Sequence, residues 1–160
     1  MSKALVYGDN INTDLVIAGK YTKTLNFQDL ADHCMEDIDK DFAHKVRVGD
    51  VLVAGKNFGC GSSREQAPLA LKYSGISAVL AKSFARIFYR NAINVGVPAL
   101  ICDTSCICDG DEISVDMDHG IVTINGNEEL KCQAFSPVMQ SILSAGGLTP
   151  FLREKGDFIL

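Results

Sequence analysis

The sequence predicts one α/β domain spanning residues 1–160. Three features carry that prediction: short, wholly apolar runs of strand length, intervening segments with helical periodicity, and short glycine-containing connections between them. Alternation of this kind builds a sheet with helices on its faces, because each helix must carry the chain back before the next strand can start. At 160 residues, 47% of them hydrophobic, the chain is long enough to bury roughly 70% of its unfolded surface in one core.

Residues 4–7 form the first apolar run, followed by 51–54, 78–81 and 99–102. Strands without polar alternation suit a sheet covered on both sides. Helices are predicted over residues 27–37, 66–74 and 84–94, and Gly75 and Gly96 stand where a left-handed C-terminal cap is favoured. Ile113-Val115 and Ile121-Thr123 flank the turn Asp116-Met117-Asp118-His119-Gly120 as a β-hairpin, with a third strand at 130–134. Pro137 opens an amphipathic helix (Val138, Met139, Ile142, Leu143) that ends at Gly146-Gly147. A last helical turn or two covers 149–155.

Fifteen Lys+Arg against 20 Asp+Glu give a net charge of −5. That balance lacks the basic footprint of phosphate-backbone binding, so neither nucleic acid nor an anionic membrane is an expected partner. No apolar run reaches 18 residues and the start does not read as a secretory leader, which predicts a cytoplasmic protein. The six cysteines are accordingly read as reduced thiols. None forms a Cys-x-x-Cys pair, and no metal site is expected; the tightest cluster, Cys102-x3-Cys106-x-Cys108, reads as small apolar side chains at a strand end and turn. His33, His44 and His119 lie in polar stretches and are read as surface residues.

Chemistry concentrates in three stretches. In Gly55-Lys56-Asn57-Phe58-Gly59-Cys60-Gly61-Ser62-Ser63-Arg64-Glu65-Gln66-Ala67-Pro68, glycines lead from a strand to a helix. Ser62-x-x-Glu65 and Ser63-x-x-Gln66 are alternative capping boxes. Free N–H groups and the dipole at a helix N-terminus attract an anion, and Arg64 adds a forked cation matched to a carboxylate. Neither the Walker pattern nor the dinucleotide fingerprint is present, and Gly-x-Ser-x-Gly is absent. A serine can nevertheless act as a base where backbone donors, a helix dipole and a guanidinium stabilise its alkoxide. The second stretch, Lys82-Ser83-Phe84-Ala85-Arg86-Ile87-Phe88-Tyr89-Arg90-Asn91, is a strand end and a helix that Ser83 is placed to cap, with Phe84, Ile87, Phe88 and Asn91 on one face. The third, Gly8-Asp9-Asn10-Ile11-Asn12-Thr13-Asp14, is an acidic turn directly after the first strand. Cys60, between the glycines of the first stretch, is a candidate redox thiol or simply a small residue that fits the turn.

Together, Asp9-x-Ile11-Asn12-Thr13-Asp14, the run from Gly55 to Pro68 and Lys82 to Asn91 resemble the small subunits of aconitase-family hydro-lyases, along essentially the whole chain. The resemblance implies a layered β/β/α fold like the swivelling domain of aconitase, its domain 4. It implies a large subunit, in a heterodimer or heterotetramer, that carries a [4Fe-4S] cluster while this chain binds none. By match of motif, Ser62 is the catalytic base toward carbon, Ser63 helps hold the substrate and Arg64 binds a substrate carboxylate. Asp14, Gly59, Gly61 and Arg86 support that loop.

The implied reaction is dehydration and rehydration of a small hydroxy acid, with interconversion of 2- and 3-isopropylmalate in leucine synthesis as the expected activity. Tyr21-Thr22-Lys23-Thr24 aligns with a loop resembling the family's specificity determinant. An apolar residue there suits an isopropyl group and an arginine suits an extra carboxylate, so Lys23 keeps homoaconitate and methylated malates of the 2,3-dimethylmalate or citraconate type as alternatives. Gln66 stands where relatives commonly carry histidine. An alternative of another class is a stand-alone carboxylate-binding module.

Overall fold

The computed structural model describes residues 2–21, 23, 26–61, 65–133 and 135–154. Seven strands form one sheet in the order β4-β3-β2-β1-β5-β6-β7. Strands β1 (Ser2–Val6), β2 (Val51–Val53), β3 (Ala78–Ala81) and β4 (Ala99–Ile101) run parallel, each in register with its neighbour. β5 (Glu112–Asp116) joins the other side of β1 antiparallel, and β6 (Ile121–Ile124) and β7 (Glu128–Lys131) continue antiparallel.

The four parallel strands are covered on both faces, which is why their sequences are unbroken apolar runs. Leu5, Leu52, Val79 and Ala81 point into one core with Leu30, Phe42, Phe58, Leu71 and Phe88. The intervening residues Ala4, Val51, Val53, Ala78 and Leu80 point into a second core with Ile113, Val122, Ile124, Ile142 and Leu143. The antiparallel half therefore folds over the second face. Past β7 the chain reaches back to the far edge, where the Gln133 N–H donates to the Ile101 carbonyl at 2.9 Å.

Helices α1 (Thr13–Val16), α2 (Phe27–Asp32), α3 (Phe42–Lys45), α4 (Gln66–Ser74), α5 (Arg86–Asn94), α6 (Pro137–Ala145) and α7 (Leu148–Glu154) complete the layers. Gly75, at φ 107°, and Gly146, at φ 93°, cap α4 and α6 in the left-handed conformation, as the sequence predicts. No helix among the described residues is long and apolar enough to cross a membrane.

Several expectations need correction. α2 stops at Asp32 rather than 37, because Met35 adopts φ 62° and its N–H leaves the helix to bond the Val16 carbonyl at 2.8 Å. α5 begins at Arg86, and Ser83 does not cap it; Ala85 holds the cap position with no side-chain bond. Ile87 is half exposed instead of packed, and the buried face of α5 is Phe88, Ala92 and Ile93. β7 starts two residues before the predicted strand and ends at Lys131; residue 134 lies outside the described residues. α4 starts at Gln66 after Glu65, while the two serines offered as caps lie outside the described residues.

Candidate active site

The loops that follow β1, β2 and β3 lie side by side at the carboxyl ends of parallel strands, where open α/β sheets bind ligands. These are the three stretches the sequence singles out. Gly55 N–H donates to the Gly8 carbonyl at 3.1 Å and the Lys82 N–H donates to the Gly55 carbonyl at 3.0 Å, so one residue joins all three. Asp9 Oδ1 accepts from the Lys56 N–H at 2.7 Å. Gly55 has no room for a side chain, since a Cβ there would sit 1.8 Å from that same Asp9 oxygen.

Further along, the second loop is stitched on both sides. Phe58 N–H donates to the Ser83 carbonyl at 3.1 Å, and its own carbonyl accepts from Ala85 N–H at 2.9 Å. Gly59 N–H donates to Ile11 O at 2.7 Å, and Cys60 O accepts from Thr13 N–H at 2.9 Å. Asn57, at φ 61°, donates its N–H to Ser83 Oγ at 2.7 Å, and its side-chain amide donates to Asn10 Oδ1 at 3.2 Å. Beneath these bonds, Phe58 packs edge-on to Phe88 with ring centroids 5.1 Å apart. Thr104, after β4, adds a buried strut, its hydroxyl donating to Ala54 O at 2.7 Å.

The segment between residues 61 and 65 therefore starts from a pinned backbone and ends at the N-terminus of α4. Gly61 is exposed with φ 93°, a conformation that favours glycine. Asn12 pairs with Cys60 and caps α1 by accepting from Leu15 N–H at 2.9 Å, which sets exposed Asp14 in the first turn beside this frame. Arg86 is exposed at the first residue of α5, whose Phe88 ring lies directly under Gly59. Ser62, Ser63 and Arg64 lie outside the described residues.

Lys23 is an exposed turn residue shortly after Tyr21. Tyr21 is firmly held: its ring stacks on His33 at 3.9 Å and its hydroxyl donates to Glu36 Oε1 at 3.0 Å. His33 is thus partly buried rather than a simple surface residue, whereas His44 and His119 are exposed as expected. The His33 bond, followed by that of Tyr21, holds the Glu36 carboxyl below its ordinary value despite some desolvation. At the root of the first loop, burial pushes the Tyr7 hydroxyl far up, and the Asp39 carboxylate that accepts its proton at 2.7 Å adds to the effect. Burial alone would raise Asp39, but bonds from Lys45 and Tyr7 outweigh it and hold this carboxyl low.

Sequence reasoning missed Asn57, Ser83, Phe88 and Thr104 as builders of the site. Their signal is spatial, joining residues tens of positions apart. A cavity of about 610 Å³ lined by Val51, Ala78, Pro98, Ile113, Val115 and Met117 opens at the opposite ends of the strands and takes no part in this frame. Among the described residues no three His, Cys, Asp or Glu side chains gather as metal ligands. Cys106 and Cys108, predicted to pack as small apolar residues, are exposed.

Residues 5–103 match the family described as the aconitase C-terminal domain. A 3-isopropylmalate dehydratase small subunit from Caldanaerobacter subterraneus is 53% identical over 156 residues, covering 96% of this chain and 97% of its own. A methanogen homoaconitase small subunit from Methanocaldococcus jannaschii is 52% identical, with coverage of 96% and 91%. The crystal structure of a 3-isopropylmalate dehydratase from the same organism superposes with a TM-score of 0.92 at 51% identity, covering 96% of this chain and 93% of that one.

Proposed function

The chain belongs to the aconitase C-terminal domain family, and on that premise we propose that it is the small subunit of a hydro-lyase interconverting 2- and 3-isopropylmalate by dehydration and rehydration, in the leucine pathway of the cytoplasm. The observation that carries the reading is the frame at the carboxyl ends of β1, β2 and β3. Three loops are bonded backbone to backbone through Gly55, Phe58, Gly59 and Cys60, and in the chain Gly61 and the start of α4 bracket positions 62–64.

In this reading Ser62 removes the proton from substrate carbon, Ser63 helps hold the substrate and Arg64 pairs with a substrate carboxylate. Donor N–H groups, the α4 dipole and the guanidinium together stabilise negative charge on the serine oxygen. Gly59 and Gly61 give the loop its path, while Asp14 and Arg86 flank it. Departure of the hydroxyl belongs to the large subunit, where we place the [4Fe-4S] cluster, in a complex of one or two copies of each chain. Neither chain alone turns over.

Homoaconitate is the second substrate candidate, favoured by the cation Lys23 and by the 52% identity to a methanogen homoaconitase small subunit. The test is co-assembly with cluster-bearing large subunits, followed by hydration of isopropylmaleate, citraconate and homoaconitate side by side. Turnover with isopropylmaleate foremost supports the proposal; no gain of activity with any such partner points to a stand-alone carboxylate-binding module.

A further inference from the structure

The two edges of the sheet meet at a pair of cysteines. β7 runs antiparallel to β4, since the four strands from β1 to β4 share one direction, β5 opposes it, β6 resumes it and β7 opposes it again. One backbone hydrogen bond joins the two edges, Gln133 N–H to Ile101 O at 2.9 Å, and continuing antiparallel from it would oppose positions 102 and 132. Both are cysteines. Their backbone N–H groups turn away from one another, Cys102 to Ala81 O at 3.0 Å and Cys132 to Gly120 O at 2.7 Å. In an antiparallel ladder, a non-hydrogen-bonded pair brings Cα atoms to about 4.5 Å with side chains close together. That spacing falls within the range a disulfide spans.

We propose that Cys102 and Cys132 are an oxidative modification site, a dithiol that closes to a disulfide with a peroxide and bolts the β4 edge of the sheet to the end of β7. The step balances: a thiolate attacks the peroxide oxygen to give a sulfenic acid and hydroxide, the second thiolate displaces the sulfenic oxygen as a second hydroxide, and the two protons released by the thiols turn both hydroxides to water. In total two thiols and one hydrogen peroxide give one disulfide and two waters. The two thiols are hydrogen-bonded to one another. The hydrogen bond to Cys132, then burial, holds Cys102 far above the ordinary thiol value, and the same bond lowers Cys132. Either sulfur can attack, and the other then resolves. Cys102 and Cys132 keep 8% and 5% of their surface exposed, which favours a small oxidant over a partner protein as the reagent. The bond would lie two residues from Thr104, whose hydroxyl braces Ala54 at the root of the second site loop.

The test uses the full chain carrying Cys106→Ser and Cys108→Ser, substitutions at two exposed positions outside the site. After hydrogen peroxide and blocking of free thiols, trypsin releases residues 91–131 and 132–153, each then holding a single cysteine. The expected product is these two peptides linked and two hydrogens lighter, separable by dithiothreitol and absent when Cys132→Ser is added. In the unsubstituted chain, fragment ions that separate Cys102 from Cys106 and Cys108 must give the same link. Oxidation confined to Cys60, Cys106 or Cys108, sulfinic acid on Cys132 without a link, or a link from Cys102 to any other cysteine overturns the proposal.

Discussion

Gly59 has no side chain because the Phe88 ring occupies its place: a Cβ there would lie 2.2 Å from Phe88 Cγ, with the glycine itself at φ 84°. Two penalties therefore meet in Gly59→Ala, steric overlap and a left-handed backbone that costs an L-residue about 1–2 kcal/mol. The variant is expected to lose at least about 2 kcal/mol of stability in urea unfolding. Adding Phe88→Ala should relieve the overlap but not the backbone strain, so the double variant is less destabilised than the sum of the singles. Simple additivity would show that Phe88 does not set this position.

Ser83 offers a second check, because its hydroxyl accepts from Asn57 N–H at 2.7 Å instead of capping α5. Ser83→Ala should cost about 1 kcal/mol and lower turnover of the assembled enzyme while leaving helix content unchanged. Asn57→Gly, which keeps the N–H and tolerates φ 61°, should retain most turnover. Loss of helical signal in Ser83→Ala would restore the capping role.

How far the sequence reaches depends on the distance over which each feature is decided. The ends of α4 and α6 are legible because a left-handed cap calls for glycine, and Gly75 and Gly146 supply it locally. The parallel strands are legible because burial on both faces forbids polar residues. The end of α2 is not, since Met35 leaves the helix for a carbonyl 19 residues earlier, at Val16. The site stretches were recognisable one by one, yet their union rests on pairs such as Asp9 with Lys56 and Ser83 with Asn57, 47 and 26 residues apart. The opposition of Cys102 and Cys132 is hidden for the same reason, as it follows from the register in which a seven-stranded sheet curls back on itself.

The Tyr7–Asp39–Lys45 group gives the fold a defined pH response. Asp39 is held below its ordinary value of 3.8, so the stability from its pairing is complete above that value and is lost as pH falls through its lower folded value. Tyr7 is held above its ordinary 10.0, so its contribution is complete below pH 10.0 and declines as pH rises beyond. Urea midpoints should fall on both sides. Tyr7→Phe should flatten the alkaline arm and Asp39→Asn the acid arm; an unchanged acid arm in Asp39→Asn would assign it to other carboxylates such as Glu36, also held low.

Lys23 bears on substrate choice, as an exposed cation just beyond the clamped Tyr21. Replacing it with leucine should favour the isopropyl substrate, and replacing it with arginine should favour the extra carboxylate of homoaconitate. Each change should move the ratio of kcat/KM for the two substrates on the order of tenfold in opposite directions. Equal ratios across lysine, leucine and arginine would remove residue 23 from substrate selection.

The proposed division of labour in the segment 62–64 separates kinetically. A positioned proton transfer contributes about 10²–10⁴-fold, so Ser62→Ala in the assembled complex should lose at least that factor in kcat with assembly intact. Arg64→Lys keeps a positive charge but gives up the two-pronged grip on a carboxylate, so its loss should appear mainly as a raised KM. The two variants should also differ in isotope response. With the proton-removing group gone, carbon–hydrogen cleavage limits turnover and a deuterated substrate slows Ser62→Ala further, whereas Arg64→Lys keeps the parental isotope effect on kcat. Activity of Ser62→Ala within about tenfold of the parent would take the base role away from Ser62.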